Sequence, residues 1–258
     1  WVHLGSLNGT ETSNKVNREV MLQIRSPEAH VYLLEVFEYD WGRSHGPMIF
    51  RINFPLVFND YYLPATYPLI TEVYINPPNA PGEPEDHKEW IEIYNPSLNQ
   101  SYDLAGWLIG DAIAHGDYGD GRYRFPDNAG VLLPQQVIIV AGCATEFAAT
   151  YGFNPNYEWL ACDPNVTDLI PEGDWEGFGI ALGNTTDEVL LHNAEGMLVD
   201  AVAWGGDPRL GVLPYLDYEP PFPTNASLER RPAHTDRNDC NRDFRMRFTP
   251  EPGQVRLR

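Results

Sequence analysis

The sequence predicts a mainly β protein with a short α/β fragment at its N-terminal end. Three observations carry that expectation. First, Glu89-Trp90-Ile91-Glu92-Ile93-Tyr94 alternates, setting Glu89, Ile91 and Ile93 on one side of an extended strand and Trp90, Glu92 and Tyr94 on the other. Second, the runs Leu69–Asn76 and Gln136–Ala141 are apolar, β-rich and cut off by proline, glycine or asparagine. Third, 23 prolines, 22 glycines and 12% aromatics in 258 residues suit short strands and frequent turns better than long helices.

Taken in order, Val2-His3-Leu4 reads as a strand end followed by a polar turn, and Glu19–Ile24 as a second strand. Ser26 and Pro27 are helix-start residues, and Val31, Leu34, Phe37 and Trp41 after them keep helical spacing for one buried stripe. Residues 43–68 form a linker rich in proline and aromatics, more apolar than a free tether and so expected to pack on a neighbouring surface. From residue 69 to 258 the pattern is a single β-domain. Leu69–Asn76 ends at Pro77-Pro78, Trp90–Tyr94 at Asn95-Pro96, and Asp103–Ile109 is a further short strand candidate. Arg122–Phe125 follows the glycine- and aspartate-rich segment 116–121, and Gln136–Ala141 reads as a strand buried on both faces. Glu146–Tyr151 is a short helix before Gly152. Trp175–Asn184, Glu188–His192 and Leu198–Trp204 read as strands, the last two joined by the Asn193–Gly196 turn.

The order and spacing of "LITEV…NPP", "EWIEIYNP", "DLAGWLIGD", "LGNTTDEVLLHNAEGMLVDAVAWGG" and "ASLERR" resemble a lamin-tail domain. The resemblance implies an immunoglobulin-like β-sandwich, covers nearly all of 69–250, and implies a bacterial extracytoplasmic accessory domain of the sort found beside hydrolases and nucleases. At the other end, Gly5-Ser6-Leu7-Asn8, followed by Glu19, resembles the close of the phospholipase D superfamily motif. That resemblance implies that residues 1–42 are the C-terminal remnant of a phosphodiesterase domain. Ser6 and Asn8 would help hold a phosphate and Glu19 would orient the attacking histidine. The family's His-x-Lys does not occur in the chain, and His3 stands in the wrong place to replace it. The sequence opens at Trp1 inside an apparent strand, so it reads as a piece of a longer protein whose nucleophile precedes it.

The formal net charge is −20, and it is unevenly placed. Residues 1–70 carry 5 basic and 7 acidic side chains, 71–220 carry 4 and 25, and 221–258 carry 8 and 5. An acidic field of that kind repels nucleic acid and anionic lipid. It also attracts cations and basic partners. No run of apolar residues is long enough to span a bilayer as a helix.

Of the chemistry-bearing residues, the three cysteines allow one bridge and one leftover thiol. Cys143 and Cys162 bracket the 146–160 excursion, where a bridge would close a loop; Cys240 would then be free, and a fully reduced set is the alternative. Glu83, Glu85, Asp86, His87 and Glu89 crowd one loop, which reads as a solvated acidic hairpin rather than a metal site. Asp117 and Asp120 lack EF-hand spacing, so no metal and no cofactor is expected. Arg230, Arg231, Arg237, Arg242, Arg245 and Arg247 read as pairing within the chain, with an anion patch as the alternative. Trp90, Glu92 and Tyr94, opposite the core-facing isoleucines, are the expected outer-face binding residues. The function expected from these residues is a non-catalytic binding or positioning module of unknown ligand, in cis with a phospholipase D-like domain, extracellular or at the cell envelope. The alternative is a working part of a secreted phosphodiesterase, nuclease or phospholipase.

Overall fold

The computed structural model describes residues 64–79, 87–111, 120–172, 179–206 and 212–257, together with the backbone of two short strands near the start of the chain. The chain divides into two compact units, Trp1–Asn59 and Asp60–Arg258. In the first, β1 (Val2–Leu4) pairs antiparallel with β2 (Leu22–Ile24), Val2 opposite Ile24. Ser6, Asn8, Glu19, the helix expected after Pro27 and the linker up to Leu63 lie outside the described residues.

The second unit is a β-sandwich. Its larger sheet is built from β3 (Leu69–Asn76), β4 (Trp90–Tyr94), β9 (Val137–Ala141), β10 (Tyr157–Glu158), β11 (Thr167–Asp168), β15 (Ala226–Arg230) and β16 (Phe244–Arg247), in the order β11-β10-β9-β4-β3-β15-β16. Its smaller sheet has the order β12-β7-β6-β13-β14, with β6 (Leu108–Gly110), β7 (Arg122–Arg124), β12 (Ile170–Pro171), β13 (Asp187–His192) and β14 (Leu198–Trp204). A separate ladder joins β5 (Tyr102–Asp103) to β8 (Val131–Leu132).

Alternation decides what each strand gives the core. Ile91 and Ile93 of β4, Val73 and Ile75 of β3, and Ile138 and Val140 of β9 meet Ile109, Val189, Leu191, Val202 and Trp204 of the facing sheet in one buried cluster. Ile70 joins Val73 on that side although they stand an odd number of positions apart, because a register shift between Ile70 and Glu72 inserts an extra residue into β3. The isoleucines of β4 therefore face the core, as the alternation predicts.

The opposite face of that sheet is where the structure departs from the sequence reading. Trp90, Glu92 and Tyr94 are 0%, 1% and 2% exposed, not outward-facing. Two pieces of chain cover this side. Helix α1 (Ala144–Tyr151) brings Phe147 and Tyr151 against Trp90, which packs with Tyr74, Ile139 and Ala141 in a second core. The Trp90 indole N–H donates to the Tyr151 hydroxyl at 3.1 Å. Near the C-terminus, the Gly253 N–H donates to Glu92 Oε2 at 2.7 Å.

Helix α1 is held at both ends. Gly152 closes it in a left-handed conformation, φ +80°. At its start, the fully buried Glu158 of β10 accepts from the Ala144 N–H at 2.6 Å and from the Asp163 N–H at 2.7 Å. Cys143 and Cys162 are joined in a disulfide with Cα atoms 5.3 Å apart, and Cys240 is free and buried.

Residues 179–184 are not a strand, contrary to the reading of Trp175–Asn184; residues 173–178 lie outside the described set. Three carboxylates take the backbone donors that a ladder would have used. The Ala181, Leu182 and Gly183 N–H groups donate to Asp111 at 2.9 Å, Glu89 at 3.0 Å and Asp187 at 2.5 Å. Side chains from just before β4, just after β6 and the start of β13 thus replace a neighbouring strand as the partner of this backbone.

Candidate functional site

The C-terminal arginines connect to one lining residue of the site, Tyr67, through Asp236. Arg230 lies on β15, its side chain 1% exposed, and every N–H of its guanidinium is used. Nε donates to the Ile70 carbonyl at 2.9 Å, and Nη2 reaches both oxygens of Asp200 at 3.0 and 2.8 Å. Nη1 donates to the Thr235 carbonyl at 3.0 Å and faces Asp236 at 3.3 Å and Asp243 at 3.5 Å. The Phe244 ring lies 4.6 Å beneath the guanidinium carbon. Burial works against the charge, but Asp200, Asp236 and Asp243 together hold the guanidinium pKa above its usual value. Arg237 donates to Asp243 at 2.6 Å, Arg231 pairs with Glu229, and Arg247 donates to Glu229 at 2.8 Å. The intrachain pairing expected from the sequence is what forms. Arg245 instead donates to backbone carbonyls, Asn241 among them at 2.9 Å.

This network reaches the surface through Tyr67, whose hydroxyl donates to Asp236 Oδ2 at 2.9 Å. Burial first, and then the Asp236 charge, raise the phenol pKa, so Tyr67 stays a donor. Tyr67 stands at the edge of an open cleft of about 530 Å³. Its floor is aromatic: Tyr102 meets Trp107 edge-on, ring centroids 5.9 Å apart. The Tyr102 hydroxyl is tied to the Thr66 carbonyl. Asp103 lines one side, held by the Ala105 N–H at 3.0 Å. The turn between β13 and β14 supplies the other side with Asn193 and Glu195. That turn is closed on itself: Asn193 Oδ1 accepts from the Met197 N–H at 2.8 Å, and Gly196 takes φ +76°, which a side chain would resist. The site is therefore assembled from the segment before β3, from β5 with the loop that follows it, and from the β13–β14 turn, all carried by the sandwich.

Two other clusters are structural. Burial lifts the Asp111 carboxyl to about 7 and Asp187 to about 8, values often met at catalytic acids. Yet both, with Glu89, are spent on the 181–183 backbone. Cys143, Glu158 and Cys162 bring ligand atoms within 4.8 Å of one another, but the sulfurs are bonded to each other and offer no thiolate to a metal.

Set beside known proteins, residues 65–206 match the family model described as the Lamin Tail Domain, more than half of the chain. The chain belongs to the lamin tail domain family. Among solved structures, a DUF4876 family protein from Bacteroides thetaiotaomicron superposes with a TM-score of 0.54 at 12% identity, covering 70% of each chain; that likeness concerns the fold alone. No curated protein matches the chain. In this lamin tail domain the matched stretch stops before β15, although β15 pairs with β3 inside the larger sheet. Arg230 thus anchors the family's β3 from beyond residue 206.

Of the residues singled out from the sequence, Trp90, Glu92 and Tyr94 of the lamin tail domain are core and do not reach the cleft. Glu83, Glu85 and Asp86 lie outside the described residues, and Glu89 is buried against Leu182. The cleft was not anticipated. Its signals were present as separate pieces, Tyr67-Pro68, "SYDLAGW" and the "NAEG" turn, with nothing local to bring them together.

Proposed function

We propose that this lamin tail domain is a non-catalytic binding and positioning module whose contact site is the Tyr67–Trp107–Glu195 cleft. The observation that carries this reading is the cleft itself: aromatic faces and carboxylates on braced loops, with no nucleophile–base pair among its described lining residues. The same reading places the module in cis with a phospholipase D-like phosphodiesterase, supported by Ser6, Asn8 and Glu19 in their motif order. It also places the protein in an oxidising, extracytoplasmic compartment. The Cys143–Cys162 disulfide favours that setting, since such bridges persist outside reducing cytosol.

Ala194 lines the cleft and is exposed, so Ala194→Trp fills the site without entering the core. In a calorimetric screen of neutral sugars, amino compounds and organic acids, at least one class binds the 258-residue chain saturably and fails to bind Ala194→Trp. Binding that survives this substitution places the contact site elsewhere. The same chain, lacking a His-x-Lys, gives no turnover of a chromogenic phosphodiester. Turnover abolished by Ser6→Ala or Asn8→Ala establishes the alternative, a working part of a phosphodiesterase.

A further inference from the structure

The lining of the cleft identifies the class of ligand, given the reading that the cleft is the contact site. Its two charged groups are Asp103 and Glu195, and no lysine, arginine or histidine lines it among the described residues. An anion entering here would meet two carboxylates and no counter-charge. The phenol donors are already spent: Tyr67 donates to Asp236 and Tyr102 to the Thr66 carbonyl. Burial raises both phenols, which keeps them as donors committed inside the protein. A tyrosine hydroxyl tied down in this way leaves its ring as what it presents to a ligand. Asn193 has its oxygen committed to Met197, and Ser101 adds a neutral hydroxyl. Beside these few neutral groups, the lining offers chiefly π-surface and negative charge. A sugar needs donors and acceptors in comparable number, whereas a cation needs π-faces and carboxylates.

The surroundings act in the same direction. Residues 71–220, which hold most of the lining, carry 25 acidic and 4 basic side chains. That field raises the local concentration of cations. The volume of about 530 Å³ admits a group well beyond a bare metal ion, and among the described residues Asp103 and Glu195 belong to no close group of three metal-ligating side chains.

We propose that the cleft binds an organic ammonium group, seated against Tyr102 and Tyr67 and paired with Asp103 and Glu195. The group is a primary alkylammonium or a quaternary ammonium; the two share the charge and differ in whether they donate hydrogen bonds.

The test follows backbone amide shifts of Ala105, Ala194, Glu195 and Val199 in the nitrogen-labelled 258-residue chain. The probes are choline, n-butylammonium, the neutral isostere of choline with carbon in place of nitrogen, and the neutral disaccharide cellobiose. Choline or n-butylammonium moves these amides saturably, and whichever binds more tightly identifies the quaternary or the primary form. The neutral isostere binds at least tenfold more weakly, as does choline or n-butylammonium to Asp103→Asn/Glu195→Gln. Both substituted residues are exposed, so the variant keeps the wild-type melting temperature, and that is measured alongside. Equal binding of the neutral isostere overturns the ammonium assignment, because shape alone then suffices. Shifts with cellobiose and none with either ammonium also overturn it, while the cleft stands as the contact site. If no probe moves these amides, the ammonium assignment falls, and the calorimetric screen against Ala194→Trp decides the cleft reading by itself.

Discussion

Arg230 shows what one side chain does in this fold. Its five donors join the Ile70 carbonyl of β3, Asp200 of β14 and the Thr235–Asp243 segment, so it links the two sheets and the chain end. Removing one member of a buried ion pair costs about 3–5 kcal/mol, because its partners stay buried without a counter-charge. Arg230→Met is therefore expected to lower the free energy of unfolding in urea by that order, and Arg230→Lys to recover only part of it, since an ammonium cannot reproduce the planar fork. Glu72 offers a second residue-scale test. It is 0% exposed; one oxygen accepts from the Ser227 hydroxyl and the other has no hydrogen-bond partner among the described residues. Burial raises its pKa from 4.5 to about 8, opposed in part by Ser227 and by Arg247, with Glu92 and Glu229 adding to the rise. The folded protein therefore keeps a proton that the unfolded chain releases above 4.5, so the contribution of Glu72 to stability falls as pH rises from there through about 8. Urea unfolding of wild type and Glu72→Gln across that range should show a difference that grows in favour of the glutamine variant and levels off above about 8. A flat difference would place the ionised carboxylate in the native state.

At the scale of elements, the pairing of β4 with α1 replaces the outer-face role expected for Trp90. The indole lies 6.2 Å from Phe147 and 5.9 Å from Tyr151, edge-on to both. Trp90→Ala is thus expected to cost about 3–5 kcal/mol, as much as Ile91→Ala at about 2–5 kcal/mol on the opposite face. A double-mutant cycle of Trp90→Ala with Phe147→Ala should show coupling of about 0.5–1.5 kcal/mol. A mild Trp90→Ala with no coupling would mean that α1 does not cover β4. Both elements were legible from local pattern: alternation for 90–94, and an apolar stretch closed by Gly152 for the helix. Their contact was not, because α1 is 50 residues further along and no periodicity in either segment names the other.

For the whole molecule, the second unit begins before the first strand of its sandwich. The Ala65 N–H donates to the His234 carbonyl at 2.8 Å, and Tyr67 to Asp236 at 2.9 Å. A piece comprising residues 60–258 is expected to melt in one cooperative transition. A piece beginning at Leu69 loses those bonds and the Tyr67 wall, and should melt lower; equal melting temperatures would show that residues 60–68 add nothing to the fold. Periodicity, turn residues and motif order by themselves determined that this chain is a mainly β lamin-tail sandwich. They determined where Leu69–Asn76, Trp90–Tyr94 and Val137–Ala141 lie and that Asn193–Gly196 turns the chain, because each of these is a property of a few consecutive residues. Tertiary structure alone decided that Trp90, Glu92 and Tyr94 are buried, that residues 181–183 bond to Asp111, Glu89 and Asp187 instead of a strand, and that Tyr67, Trp107 and Glu195 share one cleft. Alternation separates the two faces of a strand but carries no information about what covers each. Covering is settled by contacts between segments 40 to 160 residues apart, such as Arg230 with Ile70.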